Sequence, residues 1–336
     1  MKKLKNVLYV TSPGCTLSVK NRSICVTTDE GSQTVPVHNL ESVVCFGDMK
    51  VSTPFMQFCS NNGVKLVFLS CYGRYYGTFN GLQTGSVFLR REQYKRFDDP
   101  DIRMNIAGDI ISAKIRNSVR VLMKNTHSNN RVKTVIEEMM ELHDRIKFVS
   151  DIDALRGIEG AAAEKYFSVF DEMIDADDDC MKFVRRSRRP VENNVNALLS
   201  YCYTLLKTDI TAAAESVGLD IQVGVMHTLD YGKPSLVLDM MEEFRAPLCD
   251  RFVLSLINRK QVTKEDFTKD EDGNIILSDK CRRTVISEWQ TRKKTEVYVE
   301  EVNEKIEIGL IPFVQAMMIS EYLRNERESY RPYIWR

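Results

Sequence analysis

The 336-residue sequence lacks net charge, since its 47 lysine and arginine residues balance 47 aspartate and glutamate residues. A neutral total excludes a global field that draws nucleic acid to the whole protein, so any attraction to phosphate has to come from local basic patches. Long apolar runs are also absent, and the apolar stretch near the amino terminus covers only Val7 to Val10. A signal-peptide core and a transmembrane helix both need more than that. We therefore expect a cytoplasmic protein with no membrane contact.

Paired cysteines are missing as well. The chain has nine cysteines, but they are scattered and no C-x-x-C pair occurs. This pattern favours reduced, mostly buried thiols and argues against a structural zinc site. The acidic runs at 175–180 and 269–274 lack the spacing of a calcium-binding loop, so we assign a metal to neither of them.

The chain changes character near residue 90. Residues 1–90 contain short β-branched segments separated by turns, with one helix that ends at Gly63. The highly charged segment 91–101 contains Pro100 and predicts a linker, and helical periodicity dominates 102–336. We therefore predict an α+β protein, in which a β-rich, sandwich-like N-terminal domain is followed by an all-α domain.

One candidate site residue is a glutamate on a predicted helix that Asp153 caps. Glu159 shares the apolar face of this helix with Tyr166, so its carboxylate has to sit at the rim of a core. Gly157 and Gly160 flank it, although glycine costs up to ~1 kcal/mol relative to alanine in a helix. Close approach of a ligand or another helix would account for them. From this helix alone, an ion pair with a nearby arginine explains Glu159 better than a metal does.

A second candidate is His227, one of four histidines in the chain. It follows an apolar segment and precedes a helix that we expect to begin at Ser235. The first turns of that helix carry three carboxylates that can share one stripe: Asp239, Glu242 and Glu243. Close carboxylates repel one another unless a cation neutralises them. A hard divalent cation bound by one imidazole and two or three carboxylates would do so, and so would Arg245 without any metal.

A basic cluster precedes another predicted helix. Five cations fall within eight residues: Lys182, Arg185, Arg186, Arg188 and Arg189. Arginine-rich loops ahead of a helix N-terminus suit phosphate binding, because backbone N–H and guanidinium groups converge there. We therefore favour phosphate contact for this cluster over a solvated face. A second set of cations recurs at helical steps of four, and either phosphate contact or a solvated charged face explains it: Arg116, Arg120 and Lys124.

Three blocks of the sequence resemble one protein family. The blocks, in chain order, are LRGIEGAAAEKYF, RRSRRPVENNVNALLSYCYTLL and HTLDYGKPSLVLDMMEEFRAPLCDRF. They resemble the signature blocks of the CRISPR-associated adaptation integrase, also called the Cas-one endonuclease, and the likeness spans nearly the whole chain. The resemblance implies a β-rich N-terminal domain at 1–90 that serves dimerisation, a charged linker at 91–101 and an all-α catalytic domain at 102–336.

The resemblance also implies a set of site residues. The family's Mg²⁺ or Mn²⁺ ion would be held by the catalytic residues Glu159, His227 and Glu242, with Asp239 replacing or supporting Glu242. Four more residues would line the site or contact DNA by the same matching of positions: Arg156, Asn196, Ser235 and Arg245. The arginines of the basic cluster, Arg185, Arg186, Arg188 and Arg189, would bind DNA.

The function that the resemblance implies is insertion of a short DNA fragment, the spacer precursor, into a CRISPR repeat. The implied partners are double-stranded DNA, a second copy of the chain and the small adaptation partner protein of the Cas-two family. Two alternatives stay open. A general metal-dependent nuclease acting on branched DNA would turn over without a partner. A non-catalytic DNA-binding scaffold, with its carboxylates neutralised by Arg156 and Arg245, would be indifferent to EDTA.

Overall fold

The computed structural model describes most of the chain: residues 6–12, 14–70, 75–81, 87–126, 129–175, 179–187, 190–228 and 230–336. The chain divides into two compact units. The first comprises Met1–Thr84 and Asp279–Glu288, and the second comprises Gly85–Ser278 and Trp289–Arg336. The predicted functional limits of the domains stay predictions.

The described amino-terminal part of the first unit contains eight strands and a helix. The strands are β1 (Asn6–Val10), β2 (Thr16–Lys20), β3 (Ser23–Thr28), β4 (Gly31–Pro36), β5 (Leu40–Phe46), β6 (Lys50–Val51), β7 (Lys65–Leu69) and β8 (Tyr75–Phe79), and α1 spans Thr53–Asn61. They form two four-stranded sheets, with the strand orders β1-β5-β7-β8 and β4-β3-β2-β6. Strands β5 and β7 are parallel neighbours inside their sheet, and their near-continuous apolar runs suit burial on both faces.

The two sheets of this unit share one hydrophobic core. Leu17 and Ile24 come from one sheet, Val43 and Leu66 from the other, and Phe55 from α1. All five side chains are fully buried. The strand-rich amino-terminal region and the mostly helical remainder confirm the predicted α+β fold class.

The second unit is mainly helical. Its helices are α2 (Val87–Phe97), α3 (Pro100–Asn125), α4 (Asn130–Arg145), α5 (Ile152–Ser168), α6 (Asn194–Ser216), α7 (Ser235–Phe244), α8 (Arg251–Asn258) and α10 (Ile311–Leu323), while α9 (Asp279–Lys293) contributes residues to both units. A π-helical turn, Arg245–Asp250, joins α7 to α8. Two small hairpins complete the unit: β9 (Phe267–Lys269) with β10 (Ile275–Leu277), and β11 (Glu296–Val299) with β12 (Glu304–Glu307).

Helix α3 is the centre of this unit, because it packs against α4, α5 and α7, and α6 packs against α7. Its buried face carries Ile110, Ile111, Ile115 and Leu122. The candidate site residues of α5 and α7 are therefore brought to one helix. No helix among the described residues is long and apolar enough to cross a bilayer.

One local prediction was wrong. Asp151, not Asp153, caps α5, since its carboxylate accepts a hydrogen bond from the backbone of Ala154 at 2.7 Å. Residues 91–97 of the predicted linker lie in α2, and Asp99 caps α3 with Pro100 in its first turn. The role of 91–101 as a linker stays a prediction.

Candidate active site

Two of the three predicted metal ligands meet at one lysine. Glu159 of α5 and Glu242 of α7 both form ion pairs with the ammonium group of Lys114 on α3, and Nζ lies 2.6 Å from Glu242 Oε2. The side chain of Glu242 is only 5% exposed, so the pair interacts more strongly than one in bulk water. The fold thus joins two glutamates that are far apart in the sequence.

Lys114 belongs to none of the motifs in the sequence, although its position in the helical pattern of α3 indicates a special role. The residue lies on the buried face of α3, at helical spacing from Ala107, Ile110 and Ile111. A cation on an apolar face needs a buried anionic partner. The pattern therefore predicts a carboxylate next to Lys114 but does not say which one.

Glu242 stays ionised in spite of its burial. Burial alone raises the pKa of this carboxyl group, but the charges of Arg245 and Lys114 and a hydrogen bond from Lys114 outweigh it and lower the pKa to about 2. Arg245 Nε lies 3.1 Å from Glu242 Oε1, so Arg245 and Lys114 contact different oxygens of the same carboxylate. The neutralisation expected from Arg245 is present, and Lys114 adds to it.

His227 is oriented by Asp239. Its Nδ1 lies 2.6 Å from Asp239 Oδ1. The buried Asp239 carboxylate also accepts hydrogen bonds from the backbone N–H groups of Val225, Met226 and His227, at 2.6, 3.0 and 2.9 Å. A carboxylate acceptor at Nδ1 selects the tautomer with the lone pair on Nε2, as in most histidine ligands of metals. Both oxygens of Asp239 are taken by these contacts with His227 and its loop.

Three helices hold the loop segment that carries His227. Gln93 of α2, Arg103 of α3 and Arg156 of α5 donate hydrogen bonds to its backbone carbonyl groups, with N···O distances of 2.8, 2.6 and 3.0 Å. Ser235 Oγ donates to a loop carbonyl as well, at 2.9 Å. Arg156 and Ser235, expected to line the site or contact DNA, therefore fix the backbone around His227.

Gly224→Ala is expected to lower the free energy of unfolding by about 1–3 kcal/mol and to displace the loop that carries His227. A β-carbon at position 224 would lie 2.7 Å from the carbonyl carbon of Ser235 and 2.9 Å from the amide nitrogen of Leu236. Both distances are well inside van der Waals contact. Urea denaturation measures the loss.

The matched control for this variant is Gly157→Ala on α5. There an added β-carbon meets no described neighbour within 4 Å, so the change should leave stability unaltered or raise it by up to ~1 kcal/mol. Superimposable unfolding curves for the Gly224→Ala variant and the control would contradict the close packing of the loop.

Asn196 holds the arginine-rich loop. Its side chain is fully buried, and Oδ1 accepts hydrogen bonds from Arg186 Nη1 at 2.7 Å and from the backbone of Ser187 at 3.2 Å. Its Nδ2 donates to the carbonyl of Arg185 at 2.8 Å. Arg186 also donates to Ser200 Oγ at 3.1 Å. Two side chains of α6, Asn196 and Ser200, therefore fix the position of the Arg186 guanidinium.

The residues that are expected to contact DNA differ in how exposed their side chains are. The side chain of Arg185 is 72% exposed and pairs with Glu192, at 2.7 Å from Oε1. Arg188 and Arg189 lie outside the described residues. The side chains of Asn196 and Ser235 are fully buried, and their assignment to the site lining or to DNA contact stays a prediction.

A cleft opens beside the two glutamates. Its lining includes Lys114, Glu159, Arg186, Tyr203, Arg245 and Asp250. The π-helical turn brings Arg245 and Asp250 to the same tyrosine, whose hydroxyl donates to Asp250 Oδ1 at 2.6 Å while the Arg245 guanidinium lies 4.8 Å from the ring centroid. Burial raises the pKa of Asp250 to about 6. Three cations line this cleft, which suits a phosphate group.

Glu243 faces away from this cleft. Its buried carboxylate accepts hydrogen bonds from the hydroxyl of Tyr330, at 2.6 Å, and from the backbone N–H of Tyr333. The expectation that three carboxylates crowd one stripe of α7 was wrong. Asp239 supports a loop, Glu242 faces Lys114 and Glu243 binds the C-terminal tail.

The predicted ligands fit a hard divalent cation in their chemistry. Glu242 is ionised, and Glu159 forms an ion pair with the same lysine, Lys114. Because His227 contacts Asp239 through Nδ1, its Nε2 points away from Asp239. Across the described ranges, no three histidine, cysteine or carboxylate side chains stand close enough together to hold a metal ion. Lys114 pairs with both glutamates, so a cation bound by them has to displace its ammonium group.

Comparisons with known proteins agree on one family. Residues 8–291 match the family model of the CRISPR associated protein Cas1. Two relatives described as CRISPR-associated endonuclease Cas1, from Chlorobaculum tepidum and Rhodospirillum rubrum, are each 40% identical, and the matches cover 100% of both chains. A solved structure of a CAS1 protein from Thermotoga maritima has a TM-score of 0.84 at 26% identity, over 95% of this chain and 97% of that chain. This chain belongs to the CRISPR-associated Cas1 family of endonucleases.

Proposed function

We propose that this enzyme inserts short DNA fragments into a CRISPR array at a divalent-cation site formed by Glu159, His227 and Glu242. Family membership supplies the reaction class, which is phosphodiester chemistry on DNA in CRISPR adaptation. The observation that carries the site assignment is the meeting of two glutamates at one lysine, Lys114. The imidazole held by Asp239 supports it.

The reaction exchanges one phosphodiester for another, since a fragment 3′-hydroxyl attacks a phosphodiester at the edge of a repeat. Catalysis then consists of positioning and charge stabilisation. A bound Mg²⁺ or Mn²⁺ would act as a Lewis acid at the phosphate oxygens. Carboxylate ligands suit both ions, and the imidazole makes support by Mn²⁺ plausible.

Lys114 has two roles in this proposal. Without a divalent cation, its ammonium group neutralises Glu159 and Glu242. When the glutamates hold a divalent cation, Lys114 is released into the same cleft, where it can bind a phosphate oxygen. Arg186 and Arg245 line that cleft as well and supply guanidinium groups for the same phosphate.

An exposed face of α5 carries two glycines. Gly157 and Gly160 are exposed, and no described atom of another helix lies within 4 Å of a β-carbon added at either position. Close approach of another helix therefore does not explain the two glycines. Gly157 precedes Glu159 by two residues, roughly 200° around the helix axis, so this face is not the one that carries the glutamate.

The proposed partners are double-stranded DNA, the small Cas-two adaptation protein and a second copy of this chain, with the cytoplasm as the compartment. Exposed Arg185 and its neighbours Arg188 and Arg189 are assigned to DNA contact. Dimerisation is assigned to the β-rich unit, because joining at two strands needs two active sites at a fixed separation. A monomeric elution profile at micromolar concentration would contradict the dimer.

Strand transfer of a labelled short duplex into a repeat-containing plasmid tests the proposed function. With the partner protein present, joined product should form in Mg²⁺ or Mn²⁺ and vanish in EDTA, because the chemistry needs the cation. Cleavage without joining would instead identify a general nuclease. The absence of any metal-dependent activity would favour a non-catalytic DNA-binding scaffold.

A further inference from the structure

A second basic surface lies in the helical unit, and nothing in the proposed active site uses it. It is a groove of about 1260 Å³, including the part open to solvent, formed by α3, the β11–β12 hairpin and the C-terminal tail. We call it the tail groove and define it by six lining residues: Arg116, Arg120, Lys124, Tyr298, Glu300 and Arg336. None of them lines the cleft beside Glu159.

The tail groove and the active site lie on different faces of one helix. Lys114 reaches the glutamates, and Arg116 follows it by two residues, which is roughly 200° around the axis of an α-helix. Arg116, Arg120 and Lys124 then repeat at steps of four, so their side chains lie along one line at intervals of about 6 Å. The helix can therefore contact one ligand at its catalytic face and another at this line.

The described lining of the tail groove has a surplus of positive charge. Four of the six residues that define it are cations, and the one carboxylate among them, Glu300, pairs with Arg336. Neither Arg116 nor Lys124 forms an ion pair with any carboxylate that the structure describes. Burial and the like charges of Arg116 and Arg336 lower the pKa of Arg120. Like charges held this close repel one another, and an anion in the groove would relieve that repulsion.

The walls of the tail groove are fixed by contacts of Trp335. The backbone N–H of Trp335 donates to the buried side chain of Asn117 at 2.9 Å, and Arg120 donates to its carbonyl group. Its ring contacts two cations, with Lys124 Nζ 4.4 Å and the Arg251 guanidinium 3.8 Å from the centroid. The cations are thus held in place before a ligand arrives, which lowers the entropy cost of binding.

We propose that the tail groove binds the phosphodiester backbone of a nucleic acid strand, through Arg116 and Lys124 with Arg120 between them. The phosphates of one strand are regularly spaced negative charges, so a regular line of cations can contact successive phosphates of that strand. Guanidinium groups bind phosphate oxygens in pairs. Tyr298, which is 50% exposed, offers an apolar surface beside them for a sugar or base.

An acidic protein segment is the competing occupant. The regular line of cations favours a polymer with regularly spaced charges, and one strand of DNA is such a polymer. This inference rests on the proposed function, because joining a fragment to a repeat requires two DNA segments to be held at once. The tail groove would hold the segment that is not at the glutamates.

The test is a salt titration of DNA binding by the full-length protein. A fluorescein-labelled duplex is bound in EDTA, which prevents turnover, and anisotropy is followed at several salt concentrations. The double variant Arg116→Ala/Lys124→Ala should bind about tenfold more weakly, and its slope of log K against log salt should fall by about two. The single variant Arg116→Ala should lower that slope by about one.

A matched double variant removes one lysine and one arginine from elsewhere on the helical unit. Lys133→Ala/Arg145→Ala changes two exposed cations of α4 and should keep the wild-type affinity and slope. If the Arg116→Ala/Lys124→Ala variant bound DNA with wild-type affinity and slope, the tail groove would not be a DNA-binding site, and the proposed function would stand. Loss of an acidic protein partner with unchanged DNA binding would lead to the same conclusion. A wild-type protein that binds no DNA would overturn both the tail groove as a DNA-binding site and the proposed function.

Discussion

His227→Ala should lower the rate of metal-dependent strand transfer by about a thousandfold or more, since it removes the imidazole of the proposed cation site. A bound divalent cation stabilises the charged transition state by several kcal/mol. A loss of about 4 kcal/mol of this stabilisation lowers the rate by a factor of about a thousand. Asp239 keeps its three hydrogen bonds from the loop backbone in this variant, so the protein should stay folded. The rate is measured in Mn²⁺ under single-turnover conditions with the partner protein present.

His143→Ala is the matched control for this prediction. The ring of His143 contacts Ser112 and Asp144, and its loss should change the rate by no more than about twofold. Mn²⁺ binding, followed by electron paramagnetic resonance, gives a second readout that does not depend on turnover. A His227→Ala variant with wild-type Mn²⁺ affinity and wild-type strand transfer would remove His227 from the site.

The sequence predicts the parts of this protein that are encoded locally. Alternating and β-branched segments mark β2 and β3 at the residues where they form, and Ser235 marks the start of α7. β4 and β6 carry no clear strand pattern, because polar residues dominate β4 and β6 has only two residues. Family blocks mark Glu159, His227 and Glu242 as a set, but their roles stay proposals until variants are measured.

The contacts that define the site are mostly long-range, and periodicity does not encode them. Lys114 reaches Glu159 and Glu242 only because α3 packs against both α5 and α7. Asn196 looked like a DNA contact in the linear sequence, but its amide is satisfied by the loop that precedes it. A motif identifies the residue type that a site needs, whereas burial decides whether the side chain faces the ligand or supports its neighbour.

The adjacent residues Glu242 and Glu243 illustrate this limit and give the second large prediction. Glu243→Ala should lower the free energy of unfolding by about 3 kcal/mol, because it leaves the buried hydroxyl of Tyr330 and the backbone N–H of Tyr333 without their acceptor. Urea denaturation measures the change. Glu164→Ala removes an exposed carboxylate of α5 and should stay within about 0.5 kcal/mol of wild type.

A double-mutant cycle separates the tail contact from a general effect of the Glu243 substitution. Glu243→Gln keeps an acceptor and should lose less stability than Glu243→Ala. The losses of Glu243→Ala and Tyr330→Phe should not add, since both changes remove the same hydrogen bond. Additive losses would mean that the tail does not depend on this contact. Glu243→Ala should also lose strand transfer only as far as it unfolds, so that activity returns at temperatures where the variant is folded. His227→Ala should stay inactive at every temperature, because it removes a proposed ligand and leaves the fold unchanged.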